Sequence, residues 1–521
     1  MLLENLVNHV WNNLWRCLYY LSFSAMLVYV AKECKSAYGF NNLGQTIIVQ
    51  VDKQKRPVPY NMCDCSKDKF LRGKDLSLEN KQRYGDIYIQ RSGTYKEVVL
   101  TTPDQLMGFY KSDIKNHKKL DTFGAGAFLV SLLGQCLGFQ NGSKWLTKRK
   151  VFDSFFTHRA AVQNLPLMIE YISEWCETIK VEQPIEIDPL HFISEVPFTI
   201  IAKYLYGDDL ATTEFLEALK NLVPGHTQLM HFSFLSVIGR FKIFQYFPFK
   251  QVTLLSSFQR KFVKLTIQQV QKAKKLGKDS IVLQLYKRVE DGTFTLENWI
   301  QTIDEILFAN VDVTGTIMAW ALVEMGLNSD EQRILRDEIM KYTSTSYLEC
   351  SMPKAKAVND YVKRSDTFLH MCVLEILRLH PLLWFSFPET TSKTILIDGY
   401  EILPNTPIVV DQYQINYNSP IWNPPNKHNG YGSEFHPWRF SNISLRDALY
   451  SQVTFGAGAR KCLGKNFAEI LIKTELVHIL ARFEISTLEE VKFSKDTFVV
   501  QPLAKLKLSP LPTSDYISFK V

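Results

Sequence analysis

Cys462 stands in the run Phe455-Gly456-Ala457-Gly458-Ala459-Arg460-Lys461-Cys462-Leu463-Gly464, a glycine-rich loop that leads into an apolar stretch with helical spacing. A thiolate is a strong metal ligand, but it stays ionised only where positive charge or oriented dipoles surround it. A helix beginning near Leu463 would aim unpaired backbone N–H groups at the Cys462 sulfur. Arg460 and Lys461 add positive charge beside it. Gly456 and Gly458 would let the backbone fold tightly under a flat cofactor, and Gly464 would let the helix start approach it closely. The run therefore reads as a loop that presents a thiolate to haem iron; the competing reading is a plain buried cysteine. A second Phe-Gly-Ala-Gly-Ala at 123–127 has Phe128 where Arg460 would fall and Val130 where Cys462 would fall, so it reads as a loop without a ligand.

Three further groups of residues deserve chemistry. Glu375 and Arg378 sit at i,i+3 on a helix expected from Asp366 to His380, close enough to interact along one face. Alone, such a pair is a solvated ion pair worth about 0–1 kcal/mol. Here Leu379-His380-Pro381 follows it, and further on comes Phe435-His436-Pro437-Trp438-Arg439-Phe440. Trp145 and Arg149 stand at i,i+4 in Gly142-Ser143-Lys144-Trp145-Leu146-Thr147-Lys148-Arg149, and a guanidinium suits a carboxylate by charge and by fork geometry. Finally, an apolar run from Ile306 to Trp320 carries a lone acid, Asp312.

These motifs, in this order and over most of the chain, resemble the cytochrome P450 superfamily. The resemblance implies that Cys462 is the axial iron ligand of haem b, iron protoporphyrin IX, within a signature that includes Phe455, Gly456, Arg460 and Gly464. It implies that Trp145 and Arg149 contact a haem propionate, and that Glu375, Arg378 and Arg439 form a buried charge network that holds the haem loop without taking part in the chemistry. The implied reaction is a monooxygenation. An NADPH-dependent cytochrome reductase supplies two electrons, dioxygen is activated, and an organic molecule is hydroxylated or otherwise oxidised. The thiolate favours O–O cleavage by donating electron density through iron. The aromatics of Leu382-Leu383-Trp384-Phe385-Ser386-Phe387-Pro388 favour an apolar or aromatic substrate. The anchored, basic architecture and the Phe-Ala-Asn-Val-Asp-Val-Thr variant are similar to fungal members that tailor natural products.

The distal helix departs from the family pattern. One helix is expected from Leu296 to about Asn328, weakened at Val311, Val313, Thr314 and Gly315. The pattern is matched at Ala309, Asp312 and Thr314, but Asn310 replaces a glycine and Val313 replaces the threonine that follows the acid. In the family that threonine is assigned to proton delivery, and valine cannot donate a hydrogen bond. Either Thr314 reaches the oxygen groove through a shifted helix, or Asp312, water or a substrate hydroxyl carries the proton. Asp312 and Thr314 are thus the candidate catalytic residues. The competing readings are an acid capping a helix defect and a threonine bonded back to its own helix. An acid at mid-span argues against a transmembrane reading.

The chain has 521 residues and a net charge of +7. Residues 1–35 read as an N-terminal membrane anchor and 36–521 as one haem-thiolate catalytic domain, mainly α with small β-sheets. The run from Cys17 to Ala31 is uncharged, slightly short of the roughly 20 residues that span a bilayer, and Arg16 could snorkel to lengthen it. A cleaved signal peptide is the alternative. Nine scattered cysteines suggest reduced thiols and a cytosol-facing domain, and similarity to microsomal members implies the endoplasmic reticulum membrane. Lys144, Lys148, Lys150, Lys461 and Lys465 would gather on the thiolate side and steer an acidic electron donor. No aromatic and basic interleaving favours nucleic acid. Helices are expected over Leu165–Lys180, Asp188–Tyr206, Leu254–Lys275, Asp330–Tyr342 and Asn466–Phe483, and strands over Ile87–Gln90, Glu97–Thr101, Thr394–Ile397 and Pro407–Val410. Two other functions stay open: a reductase-independent haem-thiolate isomerase or dehydratase, and a non-enzymatic haem sensor held at a membrane.

Overall fold

The computed structural model describes residues 57–93, 95–112, 117–120, 125–179, 182–343 and 354–511. The anchor expected at 1–35 lies outside the described residues. The helices that build the site are α1 (Gly142–Asp153), α2 (Val223–Leu235), α3 (Leu296–Leu307), α4 (Ala309–Leu327), α5 (Phe368–Leu379) and α6 (Lys465–Leu480). A helix that is apolar on every face must be surrounded by protein or lipid. In α4, residues 317 to 323 are each at most 2% exposed. The stretch Leu296–Leu327 is long and apolar enough to cross a bilayer, but 75% of its most apolar window is buried within the protein. Packed against α4 are α2, α3, α5, α6 and the strand Phe483–Thr487, so α4 is the axis of the domain. Trp320 fixes it on one side, stacking on His380 at 3.8 Å and donating its indole N–H to the Val500 carbonyl at 2.8 Å.

The expected single helix from Leu296 to Asn328 is in fact two, interrupted at Phe308. There the Val311 N–H turns back to the Phe308 carbonyl, three residues away at 3.1 Å, so the i→i−4 ladder is broken. The weak helix formers Val313, Thr314 and Gly315 lie inside regular α4. The interruption coincides instead with the Phe308 ring, which is wedged among Phe198, His226, Phe258 and Phe262. The helix expected over Asp188–Tyr206 also divides, into Pro189–Ile193 and Glu195–Tyr206. Pro197 has no N–H for the Ile193 carbonyl, which ends the ladder there. The remaining elements fall within a few residues of their expected bounds.

Strands are few. The largest sheet runs, in spatial order, Tyr60–Asp64, Ile87–Ser92, Tyr95–Leu100, Ile408–Val410, Glu389–Thr390 and Lys118–Lys119. Its central hairpin pairs Ile87 with Leu100 and Ser92 with Tyr95, and Val98 pairs in parallel with Ile408. Alternation sends Tyr88, Val99 and Val409 into the main core, and Ile87, Ile89, Val98, Leu100, Ile408 and Val410 into a second cluster behind. A three-stranded sheet, Phe483–Thr487 beside Leu506–Pro510 beside Ile185–Ile187, closes the far end of α4.

Candidate active site

The Cys462 loop is a tight knuckle. Gly456 and Gly458 both have positive φ, 69° and 67°, a region that costs other residues about 1–3 kcal/mol. The Cys462 N–H donates to the Phe455 carbonyl at 2.8 Å, and the Gly456 N–H to that of Val453 at 2.9 Å. Helix α6 starts at Lys465, between the two expected starts, Leu463 and Asn466, and the N–H groups of Gly464 and Lys465 bond the Cys462 sulfur. Burial raises the Cys462 thiol above its usual range, and those two N–H groups and the Arg149 charge oppose the rise. The side chain is nevertheless exposed by area. Gly464 has an ordinary φ of −82°; a methyl there would touch the Cys462 sulfur at 4.0 Å, so glycine provides room beside the ligand. At Gly458 a methyl would lie 2.9 Å from the Tyr110 ring. Gly458→Ala is therefore expected to cost about 1–3 kcal/mol through strain and clash. A thermal melt checks this, and an unchanged midpoint would show that Tyr110 gives way.

Two arginines cross-tie the loop, Arg460 to the segment before α1 and Arg149 to α1 itself. Arg460 donates to the carbonyls of Gly138 at 2.8 Å and Gln140 at 2.9 Å, and its guanidinium lies over the buried Trp145 ring at 4.3 Å. Burial lowers Arg460 to about 10, with Glu389 and Glu305 opposing. Arg149 pairs with Asp153 at 2.7 Å and donates to the Lys461 carbonyl at 3.1 Å. Lys148 is not part of the exposed basic face. It is buried, donates to Gln140 at 3.3 Å, and is lowered to about 8 by burial and then by Lys144. Its place on the inner face of α1, with Trp145 and Phe152, decides this. Lys144, Lys150, Lys461 and Lys465 are exposed.

Beside these cations stands a group that no motif revealed. His117 lies against the rings of Phe109 at 4.4 Å and Tyr110 at 5.3 Å, with Nδ1 3.4 Å from Glu389. Glu389 also receives Lys119 at 2.6 Å; burial alone would raise its carboxyl, but Lys119 and His117 hold it at about 2. His117 Nε2 is buried with no hydrogen-bond partner. A buried orphan donor is costly, and an acidic group at this edge would satisfy it.

Glu375 lies between two arginines, all three buried. It accepts from Arg378 at 2.7 and 2.8 Å, from Arg439 at 2.7 Å and from the His436 N–H at 2.9 Å. The remaining guanidinium protons reach carbonyls of Asn416, Gly432, Trp422, Tyr431 and Glu434. Asn416, which the sequence did not single out, transmits this order to the loop. Its amide donates to the Arg378 carbonyl at 3.0 Å and accepts from the Val453 N–H at 3.1 Å, two residues before Phe455. The Thr454 hydroxyl donates to the Leu377 carbonyl.

On the first turns of α4, Val311, Asp312, Val313 and Thr314 are all half-buried. Asp312 lies in the first turn of α4, where a helix N-terminus favours an acid, and the helix start at Phe308 has no side-chain cap. Burial raises its carboxyl, with His231 and then His226 opposing. The segment 382–388 divides. Trp384 and Phe385 are core, whereas Leu382, Leu383 and Phe387 are partly buried and pack against the same apolar cluster as Val311, Val313 and Leu463. Phe70, Phe387 and Phe498 converge on Phe234 at 5.5, 5.5 and 4.7 Å. Thus two of the three expected lining aromatics, Trp384 and Phe385, are core, and Phe387 is left partly buried.

A mainly helical domain that offers a thiol at a helix N-terminus, beneath an apolar helix and beside a cationic edge, defines a haem-thiolate protein. The sequence pattern of the cytochrome P450 family matches residues 56–509, and the chain belongs to that family. It is 58% identical over 511 residues to the cytochrome P450 monooxygenase PUL2 of Kluyveromyces lactis, covering 98% of this chain and 100% of that one. It is 31% identical to the cytochrome P450 monooxygenase asaD of Aspergillus flavus over 82% of this chain and 80% of that one. It is 30% identical to the cytochrome P450 monooxygenase verC of Clonostachys rogersoniana over 85% and 86%. The chain is accordingly a P450 monooxygenase, an oxidoreductase whose cofactor is haem b.

Proposed function

We propose that this monooxygenase takes electrons from an NADPH-dependent cytochrome reductase and oxidises an apolar or aromatic small molecule in a natural-product pathway. In the same reading, residues 1–35 anchor it in the endoplasmic reticulum membrane and residues 36–521 form its cytosolic catalytic domain. The observation that carries the reading is the Cys462 sulfur, met by two backbone N–H groups at the start of α6, with Leu463 beside it packed against the same apolar cluster as Val311, Val313, Leu383 and Phe387. Haem bound there supplies the chemistry of dioxygen activation. Cys462 would ligate the iron. Trp145, Arg149, Arg460 and the orphaned His117 would hold the propionate edge, and Phe455, Gly456 and Gly464 would shape the loop beneath it. Glu375, Arg378 and Arg439 would keep that loop rigid. The apolar wall would orient the substrate and exclude water, so that protons arrive only through chosen groups. Exposed Lys144, Lys150, Lys461 and Lys465 would attract an acidic reductase, with an association rate that falls as salt rises.

Reductase dependence separates this reading from an isomerase, which would turn over without NADPH, and from a sensor, which would not turn over. Asp312 and Thr314 are the proposed proton donors. Asp312→Asn and Thr314→Ala are each expected to divert several-fold more NADPH electrons to hydrogen peroxide, with the larger effect at Asp312. That residue is a carboxyl whose hold on a proton is raised by burial. Peroxide measured against NADPH consumed decides it; equal coupling in Asp312→Asn and wild type would remove Asp312 from the route.

A further inference from the structure

Helix α3 carries polar side chains at i, i+3, i+4 and i+7: Asn298, Gln301, Thr302 and Glu305. Helical periodicity puts them on one face, and that face meets the irregular segment 134–141, between helix Ala127–Leu133 and α1. A segment outside helix and strand must find partners for its N–H groups elsewhere. Here α3 provides them. The Gln135 N–H donates to Gln301 Oε1 at 2.7 Å, the Leu137 N–H to Thr302 Oγ1 at 3.1 Å and the Gly138 N–H to Glu305 Oε2 at 3.2 Å. Asn298 Nδ2 returns a bond to the Gln135 carbonyl at 3.1 Å. Thr302 gives its own proton to the Asn298 carbonyl at 2.6 Å, which leaves its oxygen to accept from Leu137.

Arg460 grips the same segment from the other side, through the carbonyls of Gly138 and Gln140. Gly138 is therefore held at its N–H by Glu305 of α3 and at its carbonyl by a residue two positions before Cys462. The path from Glu305 to the loop is one hydrogen bond, one residue and a second hydrogen bond. Of the four α3 side chains, Glu305 is the one whose partner residue Arg460 also holds. Burial raises the Glu305 carboxyl, and the Gly138 N–H, the Cys136 thiol and then the Arg460 charge oppose the rise. Because α3 leads through Phe308 into α4, the segment ties Arg460 to the helix pair that carries Asp312 and Thr314.

We propose that Glu305 is a positioning residue for the cofactor: acting through Gly138, it fixes the Arg460 guanidinium and with it the propionate edge of the bound haem. Ordering a long arginine side chain costs rotamer entropy, and carbonyl targets held in advance lower that cost when the propionate arrives. Glu305 is not a catalytic residue, because it acts through Arg460. The assignment deepens the haem-site reading given above and rests on it.

Two readouts on the holoenzyme test it without turnover. Transfer of haem to excess apomyoglobin gives the rate at which the ferric protein releases its cofactor, and the propionate bending band of the resonance Raman spectrum reports the geometry of the edge. Glu305→Ala is expected to release haem about fivefold faster or more and to shift the bending band. Its red-shifted carbon monoxide band should stay in place, since Cys462 is untouched. Glu305→Gln keeps an oxygen acceptor for the Gly138 N–H, so it is expected to restore the wild-type band and a release rate within about twofold of wild type. Gln301→Ala frees the Gln135 N–H, in the same segment but away from Gly138, and should leave both readouts unchanged. In an Arg460→Gln background, Glu305→Ala is expected to add less than about twofold, because residues that act through one another are not additive. Effects of the two substitutions that simply multiply overturn the proposal. So does a Glu305→Ala protein that releases haem at the wild-type rate, or a Gln301→Ala protein that matches it in speed. Glu305→Asp withdraws the carboxylate by one methylene and carries the same expectation as Glu305→Ala, which keeps the test open if the alanine variant fails to fold. All these outcomes leave the red-shifted band of the wild type standing. Its absence from wild type would instead overturn the thiolate reading, and the role of Glu305 with it.

Discussion

Cys462→Ser is expected to lose the strongly red-shifted Soret band of the reduced, carbon monoxide-bound protein, and with it all measurable NADPH-dependent turnover. The change replaces one atom and leaves the loop's backbone bonds in place, because the Cys462 N–H to Phe455 carbonyl bond and the glycine turns do not use the sulfur. What it removes is the readily ionised ligand. A serine hydroxyl stays protonated where a thiol can ionise, even with the Gly464 and Lys465 N–H groups aimed at it. The electron donation that favours O–O cleavage goes with it. Spectra of wild type and variant, recorded in parallel with haem content, check this. A variant that keeps the red-shifted band would mean that another group ligates the iron, and the reading of the whole loop would fall.

The largest stability effect is expected at Glu375→Gln, a loss of about 3–5 kcal/mol, the usual cost of removing one partner from a buried ion network. Glu375 and Arg378 are fully buried and the Arg439 side chain is 3% exposed. The neutral amide would leave two adjacent guanidiniums without a counter-charge. The damage would also travel, because Arg378 orders the carbonyl of Asn416, and Asn416 holds Val453 at the root of the Cys462 loop. Against a total stability of about 5–15 kcal/mol for a typical protein, the variant is expected to melt markedly earlier and to carry less haem per chain. Turnover per bound haem should change little, since the three residues hold the loop and take no part in the chemistry. A normal melting temperature with slow turnover would assign Glu375 to the chemistry instead.

The sequence and the folded chain divided the work along a physical line. Short-range signals were legible in advance. The glycine loop before Cys462, the i,i+3 pair Glu375 and Arg378, the i,i+4 pair Trp145 and Arg149, and the periodic helices and strands all rest on local backbone geometry, which neighbouring residues dictate. The partners of those residues were not legible. Nothing near Asn416 marks it as the link between Arg378 and the haem loop, and nothing near His117 marks it as the neighbour of Glu389, 272 positions away. Lys148 reads as one more surface base until α1 is packed and turns it inward. The interruption at Phe308 carries no proline or glycine, because its cause is a ring wedged among residues from three other helices. The amino-acid sequence alone determined which ligand this protein offers and what family of chemistry that ligand serves. Tertiary packing decided which side chains reach it, since contacts between distant segments are set by the joint burial of many apolar residues and leave no local trace.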